Sequence, residues 1–160
     1  MKKALTGIFL AGFVFAEPVF MDGEWAKEFC RVWNNTPELV EKLGKSESWT
    51  KVPERRIFLY RKDCGPDKVV QLTIKNEGGK ATCVYGGWKK DEKTKEDFML
   101  WADTQRWLEM GRGEYGPMRA MVLGRLSFEG PRGVAMNNMG PFEAFLKAID
   151  DVKSNTTKCP

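Results

Sequence analysis

Apolar side chains recur at helical spacing after Asp22, where Trp25, Phe29, Val32 and Trp33 predict a helix over residues 23–34 with Asp22 as its N-cap. Thr36-Pro37 restarts the chain as a cap followed by a first-turn proline, Leu39, Val40 and Leu43 form the stripe, and Gly44 ends it. Residues 45–55 are polar and read as a connection. The period then changes. RRIFLYRK predicts a first strand; Val70, Leu72 and Ile74 alternate with Gln71, Thr73 and Lys75 in a second; residues 81–85 return as a third after the turn signal NEGG. The charged run 89–96 reads as an exposed loop. A fourth strand fits 97–102, and Asp103 or Thr104 caps a helix carrying Trp107, Leu108 and Met110. Pro117 starts a short helix that Gly124 stops, and residues 125–129 form a fifth strand. Pro141 opens a last helix with Phe142, Phe145, Leu146, Ile149 and Val152 along one face. The order of elements is that of a single α+β domain over residues 20–152, followed by a tail, 153–160, that is loose unless Cys159 is tied down.

Methionine changes the picture. Six of the eight Met, at positions 99, 110, 118, 121, 136 and 139, fall within residues 97–152 beside Trp101, Trp107, Phe128, Phe142 and Phe145. Flexible, polarisable thioethers fill irregular apolar space and adapt to ligands of variable shape, so the segment suits a lipid-sized cavity better than a catalytic cleft. An ordinary core with a Met bias is the alternative reading of the same residues.

The net charge is +4, from 26 Lys and Arg against 22 Asp and Glu, and two of the cations, Lys2 and Lys3, lie at the extreme N terminus. The remaining charges alternate in sign, as in KKDEKTKED, which describes a solvated surface and argues against nucleic acid as a partner. Lys2 and Lys3, the apolar run from Ala4 to Ala16 and Val14-Phe15-Ala16 resemble an export signal over residues 1–16, cleaved near Glu17. The expected destination is a periplasm-like compartment; the cytoplasm is the alternative. In an oxidising compartment Cys30, Cys64, Cys83 and Cys159 permit two disulfides in any of three pairings. Their wide spacing, with no CxxC, does not suit a metal site. Cys30, on an apolar helix face, also reads as a buried free thiol.

At this point the chain resembles the sterol carrier protein type 2-like domains, especially their small stand-alone prokaryotic versions. The likeness is carried by FMDGEWAKEF opening the first helix, the three-stranded meander, DFMLWAD, the stretch GEYGPMRAMVLGRLSFEG and the closing PFEAFLKAI. It spans about residues 20–152 and is specific mainly from Asp97 onward. It implies a five-stranded mostly antiparallel, mixed sheet covered on one face by helices, with an apolar tunnel between the layers. It also implies a bound lipid or fatty acyl chain as partner, no cofactor, and a family name that does not fix the ligand. Alternation places Leu126 and Phe128 on one face of the fifth strand, and Gly124 permits a sharp helix-to-strand change that needs positive φ.

The candidate cavity-lining residues are therefore Trp101, Trp107, Met110, Met118, Met121 and Val122, then Leu126, Phe128, Met136 and Met139, and finally Phe142, Phe145 and Ile149. Arg112, Arg119 and Arg132, at helix and loop edges, are the candidates for pairing with an anionic head group; the competing reading of each is a plain surface charge. The expected protein is a monomer or weak homodimer with at most transient membrane contact through its first helix. A second class of function is a dimerisation or interaction module using exposed Trp25, Trp33, Trp49 or Trp88. A third is an enzyme built on carboxylates such as Asp97, Asp103, Glu109 and Glu114, but there is no His for a catalytic triad and no GxSxG, P-loop or dinucleotide fingerprint.

Overall fold

A computed structural model describes residues 17–160; the expected export signal, 1–16, lies outside the described residues. Five strands, β1 (Glu54–Arg61), β2 (Val70–Glu77), β3 (Lys80–Trp88), β4 (Phe98–Ala102) and β5 (Ser127–Glu129), form one sheet in the order β3-β2-β1-β4-β5. All neighbours are antiparallel except β1 and β4, which run parallel with Leu59 opposite Leu100. The parallel pair follows from how the chain leaves β3: residues 89–96 cross the helix-free face before β4 begins. The charged run is thus a pinned crossover as well as a solvated loop. Gln71 Oε1 accepts from the Lys90 and Asp91 amides at 3.0 Å each, and its Nε2 donates to Asp91 Oδ2 at 2.7 Å. The buried Asp97 carboxylate accepts from the Arg56 and Thr94 amides at 2.8 Å each.

Six helices cover the other face: α1 (Gly23–Asn34), α2 (Pro37–Gly44), α3 (Thr104–Gly111), α4 (Pro117–Val122), α5 (Arg132–Asn137) and α6 (Met139–Ala148). Asp22 caps α1, its Oδ1 accepting from the Trp25 amide at 2.8 Å. The apolar stripe so started, Trp25, Phe29 and Trp33, is buried against the sheet and α6. α1 lies so close to β3 that a Cβ on Gly86 would collide with the Ala26 carbonyl. α6 touches each of the other five helices and is the centre of the helical layer. Gly124 has φ 68°, the left-handed turn expected between α4 and the last strand. That strand is shorter than expected, three residues, and α5 is an element the pattern does not predict, because its six residues bury only Ala135 and carry no stripe.

Trp25, Trp33 and Trp49, considered above as exposed contact residues, are buried; only Trp88 of that group is exposed. The indoles of Trp33 and Trp49 donate to Ala81 O and Asn76 Oδ1, at 2.8 Å each, so burial leaves neither without a partner.

The tail is anchored. Asn155 exchanges backbone hydrogen bonds with Pro18 and Phe20, and Cys64–Cys159 forms a disulfide. Arg61, itself buried, donates to the carbonyls of Phe20 (3.1 Å), Thr156 (3.0 Å) and Lys158 (2.7 Å), joining both ends of the described chain to β1. The second disulfide, Cys30–Cys83, clamps α1 to β3, so Cys30 is not the free thiol that its apolar face also allowed.

The start of α3 is held from outside. Asp103 occupies the N-cap position but makes no capping hydrogen bond; Asp63 Oδ1 accepts instead from the Thr104 amide and hydroxyl, both at 2.9 Å. Partial burial pushes the Asp63 carboxyl up, but the Thr104 hydrogen bonds and the Arg61 charge outweigh it and hold it below its ordinary 3.8. A depressed carboxyl contributes stability above its unfolded value that is lost as pH falls through the folded one. Asp63→Asn should therefore lower the midpoint of thermal unfolding at pH 7 and leave it matched to wild type near pH 2; a difference that persists unchanged into acid would refute the capping role.

Candidate ligand-binding cavity

Between the sheet and the helices lies an apolar cavity of about 60 Å3. Its floor is the helix-facing row of the sheet: Ile57 on β1, Phe98 and Leu100 on β4, and Phe128 on β5. These positions alternate with residues on the opposite face, so the period of two that makes the strands also builds the floor. One wall is Trp33 of α1 with Leu39 and Leu43 of α2, four residues apart on one helix face. Trp49, from the polar-looking connection, closes the end by stacking on Phe98 at 5.7 Å with ring planes 3° apart. The roof is Val134 and Ala135 of α5 and Pro141, Phe142 and Phe145 of α6.

Asn138, between α5 and α6, supplies the single polar side chain on this wall. Its Nδ2 donates to Val134 O at 2.8 Å and Ser48 Oγ at 3.1 Å. A carbonyl can only accept, so the Val134 contact fixes which way the amide is turned. Both Nδ2 hydrogens are then used, while no described residue donates to Oδ1.

Arg55 supports the Trp49 end from behind. It is buried, and donates to the carbonyls of Trp49 (2.8 Å), Glu96 (2.7 Å) and Ser48 (3.0 Å). Its guanidinium lies 5.2 Å from the Trp49 ring centre and 5.8 Å from that of Phe98. Burial pushes its pKa down, and the Glu96 and Asp97 charges offset part of that.

Of the residues that the sequence nominated, Phe128, Phe142 and Phe145 lie on the cavity wall. Trp107, Met110, Leu126 and Ile149 are buried in the surrounding core but are not on the wall. Trp101 points to the helix-free face, stacked on Tyr60 at 5.7 Å. Met121 and Met139 are half-buried off the wall, and Met118, Val122 and Met136 face solvent. The reason is helical geometry in short elements: α4 buries Pro117 and Ala120, which turns Met118 and Val122 outward. Arg112, Arg119 and Arg132 are exposed and not on the wall, and Arg112 is paired with Glu114 at 2.6 Å. Five of the fourteen wall residues, from Trp33 to Ile57, come from the first part of the chain, which methionine content did not mark. The stripe of α2 was the available signal. In place of the expected lipid-sized tunnel the interlayer space holds a cavity of about 60 Å3, with Trp49, Phe98, Phe128 and Phe142 among its lining side chains.

A sequence model described as the SCP-2 sterol transfer family matches residues 28–143. Among solved structures, a crystal structure of sterol carrier protein 2 is similar in fold, with a TM-score of 0.58 and 18% identity, covering 83% of this chain and 98% of that one. The solution structure of a conserved hypothetical protein from Thermus thermophilus, described as possibly a sterol carrier protein, gives a TM-score of 0.55 and 19% identity, covering 91% of this chain and 96% of that one. No match is found among curated protein sequences.

Proposed function

The chain belongs to the SCP-2 sterol transfer family, whose domains bind and transfer lipids, and from that premise we propose that it is a non-catalytic carrier shielding one lipid or fatty acyl chain in the cavity between α2, α5, α6 and the sheet. The observation that carries this reading is the wall itself: apolar throughout except for Asn138, an amide that neither titrates nor attacks. Apolar area removed from water is worth about 25 cal/mol per Å2, enough for an acyl chain to bind without charged contacts.

A volume of about 60 Å3 is below the roughly 300–1,000 Å3 of ligand sites, so the ligand enters by opening the roof. α5 is the element that yields, since Ala135 is its one buried residue. The two disulfides support export to an oxidising compartment.

Native mass spectrometry of the protein purified without detergent should show one adduct of lipid mass, lost on denaturation. In titrations with twelve-carbon ligands the alcohol should bind more tightly than the carboxylate, because the wall offers no cation to a buried carboxylate. Ala135→Phe, which fills the cavity from the roof, should abolish adduct and titration alike with its thermal midpoint kept. A clean apo mass, unchanged by fatty alcohols, fatty acids and phospholipids, would overturn the carrier reading in favour of an interaction module.

A further inference from the structure

The corner where α4 turns into β5 gathers exposed apolar side chains, among them Val122, the most exposed large one of the described surface. Val122 is 76% exposed, Leu123 51% and Met118 41%, all within one and a half helical turns. Beside them is a polar groove of about 340 Å3, lined by Lys62, Trp101, Asp103, Arg106, Arg125 and Ser127, with Leu123 and Gly124 at its rim. Three cations face one carboxylate in it. Arg106 pairs with Glu109 at 2.9 Å, whereas Lys62 and Arg125, like Arg119 on α4, have no ion-pair partner among the described residues.

The groove is braced. Arg125 lies over the Tyr115 ring, 4.7 Å from its centre; the Tyr115 hydroxyl donates to Glu109 Oε1 at 2.7 Å; and Glu109 holds Arg106. The same Glu109 carboxyl is held below its ordinary range by the Tyr115 and Arg106 hydrogen bonds, so it stays charged and keeps Arg106 in place.

An apolar tip next to uncompensated cations, with a tryptophan in the groove between them, matches the depth profile of an anionic bilayer. Apolar groups enter the acyl boundary, aromatic rings sit at head-group level, and cations meet phosphates. A nucleic acid would need a broad basic face, and the chain's charges alternate instead. No helix among the described residues is long and apolar enough to cross a membrane, so the contact is peripheral.

We propose that this corner docks the protein on an anionic lipid surface, with Val122 and Leu123 inserted and Lys62 and Arg125 on lipid phosphates. The proposal names the membrane partner of the carrier and rests on that reading. Docking here, away from α1, also replaces the first helix as the expected membrane contact, because the apolar face of α1 is spent on the core.

Hydrogen–deuterium exchange of the full chain reads residues 117–127 directly and keeps any contribution of residues 1–16 out of the measurement. Vesicles of phosphatidylcholine with about one-third phosphatidylglycerol should slow exchange across α4 and the following turn, and pure phosphatidylcholine should not. Val122→Asp with Leu123→Asp should abolish that protection. Lys62→Glu should weaken it at least fivefold or so in lipid titrations, with a smaller dependence on salt. These side chains are exposed, so the folded state and the cavity adduct should be unchanged. Unprotected 117–127 in wild type, or protection that survives Val122→Asp and Leu123→Asp, would overturn the docking site. Protection that appears without vesicles as protein concentration rises would overturn it in favour of a second copy of the chain. Vesicle protection with an empty cavity would sink the carrier reading alone; a filled cavity with no protection would sink the docking alone.

Discussion

Cys30→Ala combined with Cys83→Ala should lower the free energy of unfolding by about 4 kcal/mol. The bond closes a loop whose ends are 53 residues apart, spanning α1 to β3 and containing α2, β1 and β2. Opening that loop releases conformations to the unfolded chain that the disulfide withholds, and the penalty grows with the logarithm of loop length. The two sulfurs are also buried where α1 presses on β3 with only Gly86 between them, so the folded state loses a contact as well. For a domain of this size the loss should appear as a fall in the thermal midpoint on the order of 10 °C. Denaturant unfolding of the double variant against wild type, with and without reductant, checks it. A change below about 1 kcal/mol would mean that α1 is held by its apolar face alone.

Arg55→Met should cost about 3–5 kcal/mol and should damage the cavity before it unfolds the protein. The substitution keeps an apolar stem over Trp49 and Phe98 but removes the donor to three carbonyls, Ser48, Trp49 and Glu96. Ser48 in turn receives the Asn138 amide, and Trp49 closes the cavity end, so the loss reaches both the wall and the roof. Arg55→Lys should rescue little, because a single ammonium cannot serve three divergent carbonyls that a planar fork reaches together. The expected record is loss of the fluorescent-lipid titration in Arg55→Met and Arg55→Lys at temperatures where circular dichroism still shows native structure. If lipid binding falls only in step with unfolding, Arg55 is a stability residue and not a support of the cavity.

Both effects are partly legible in the sequence. Four widely spaced cysteines mark disulfides but not their pairing, because loop closure depends on where α1 meets β3 and where the tail returns to β1, and neither is a local property. Arg55 looks like one more charge in a polar connection. Its burial follows from the crossover 89–96 and the loop 46–50 enclosing it, a consequence of strand order. The site divides the same way. Phe128, Phe142 and Phe145 come from the Met-rich half and lie on the wall, whereas Met118, Val122 and Met136 from the same half face solvent. Composition indicates that a segment is apolar without indicating which side of a one-turn or two-turn helix is covered.

What the sequence determined by itself is local: α1 with its Asp22 cap, α2 between Pro37 and Gly44, the alternating strands, the turn at Gly124, and an α+β domain resembling the lipid carriers. Each of these rests on a period of 3.6 or 2, or on a backbone angle, that a few consecutive residues set. The tertiary structure alone decided the parallel pairing of β1 with β4, the disulfide partners, the burial of Arg55 and Arg61, and a cavity whose wall is shared between α2, β1 and α6. A periodic pattern states that an element has an apolar face. Which other face it meets depends on chain reversals and on close approaches such as that of α1 over Gly86, and those are settled only when all the elements pack at once.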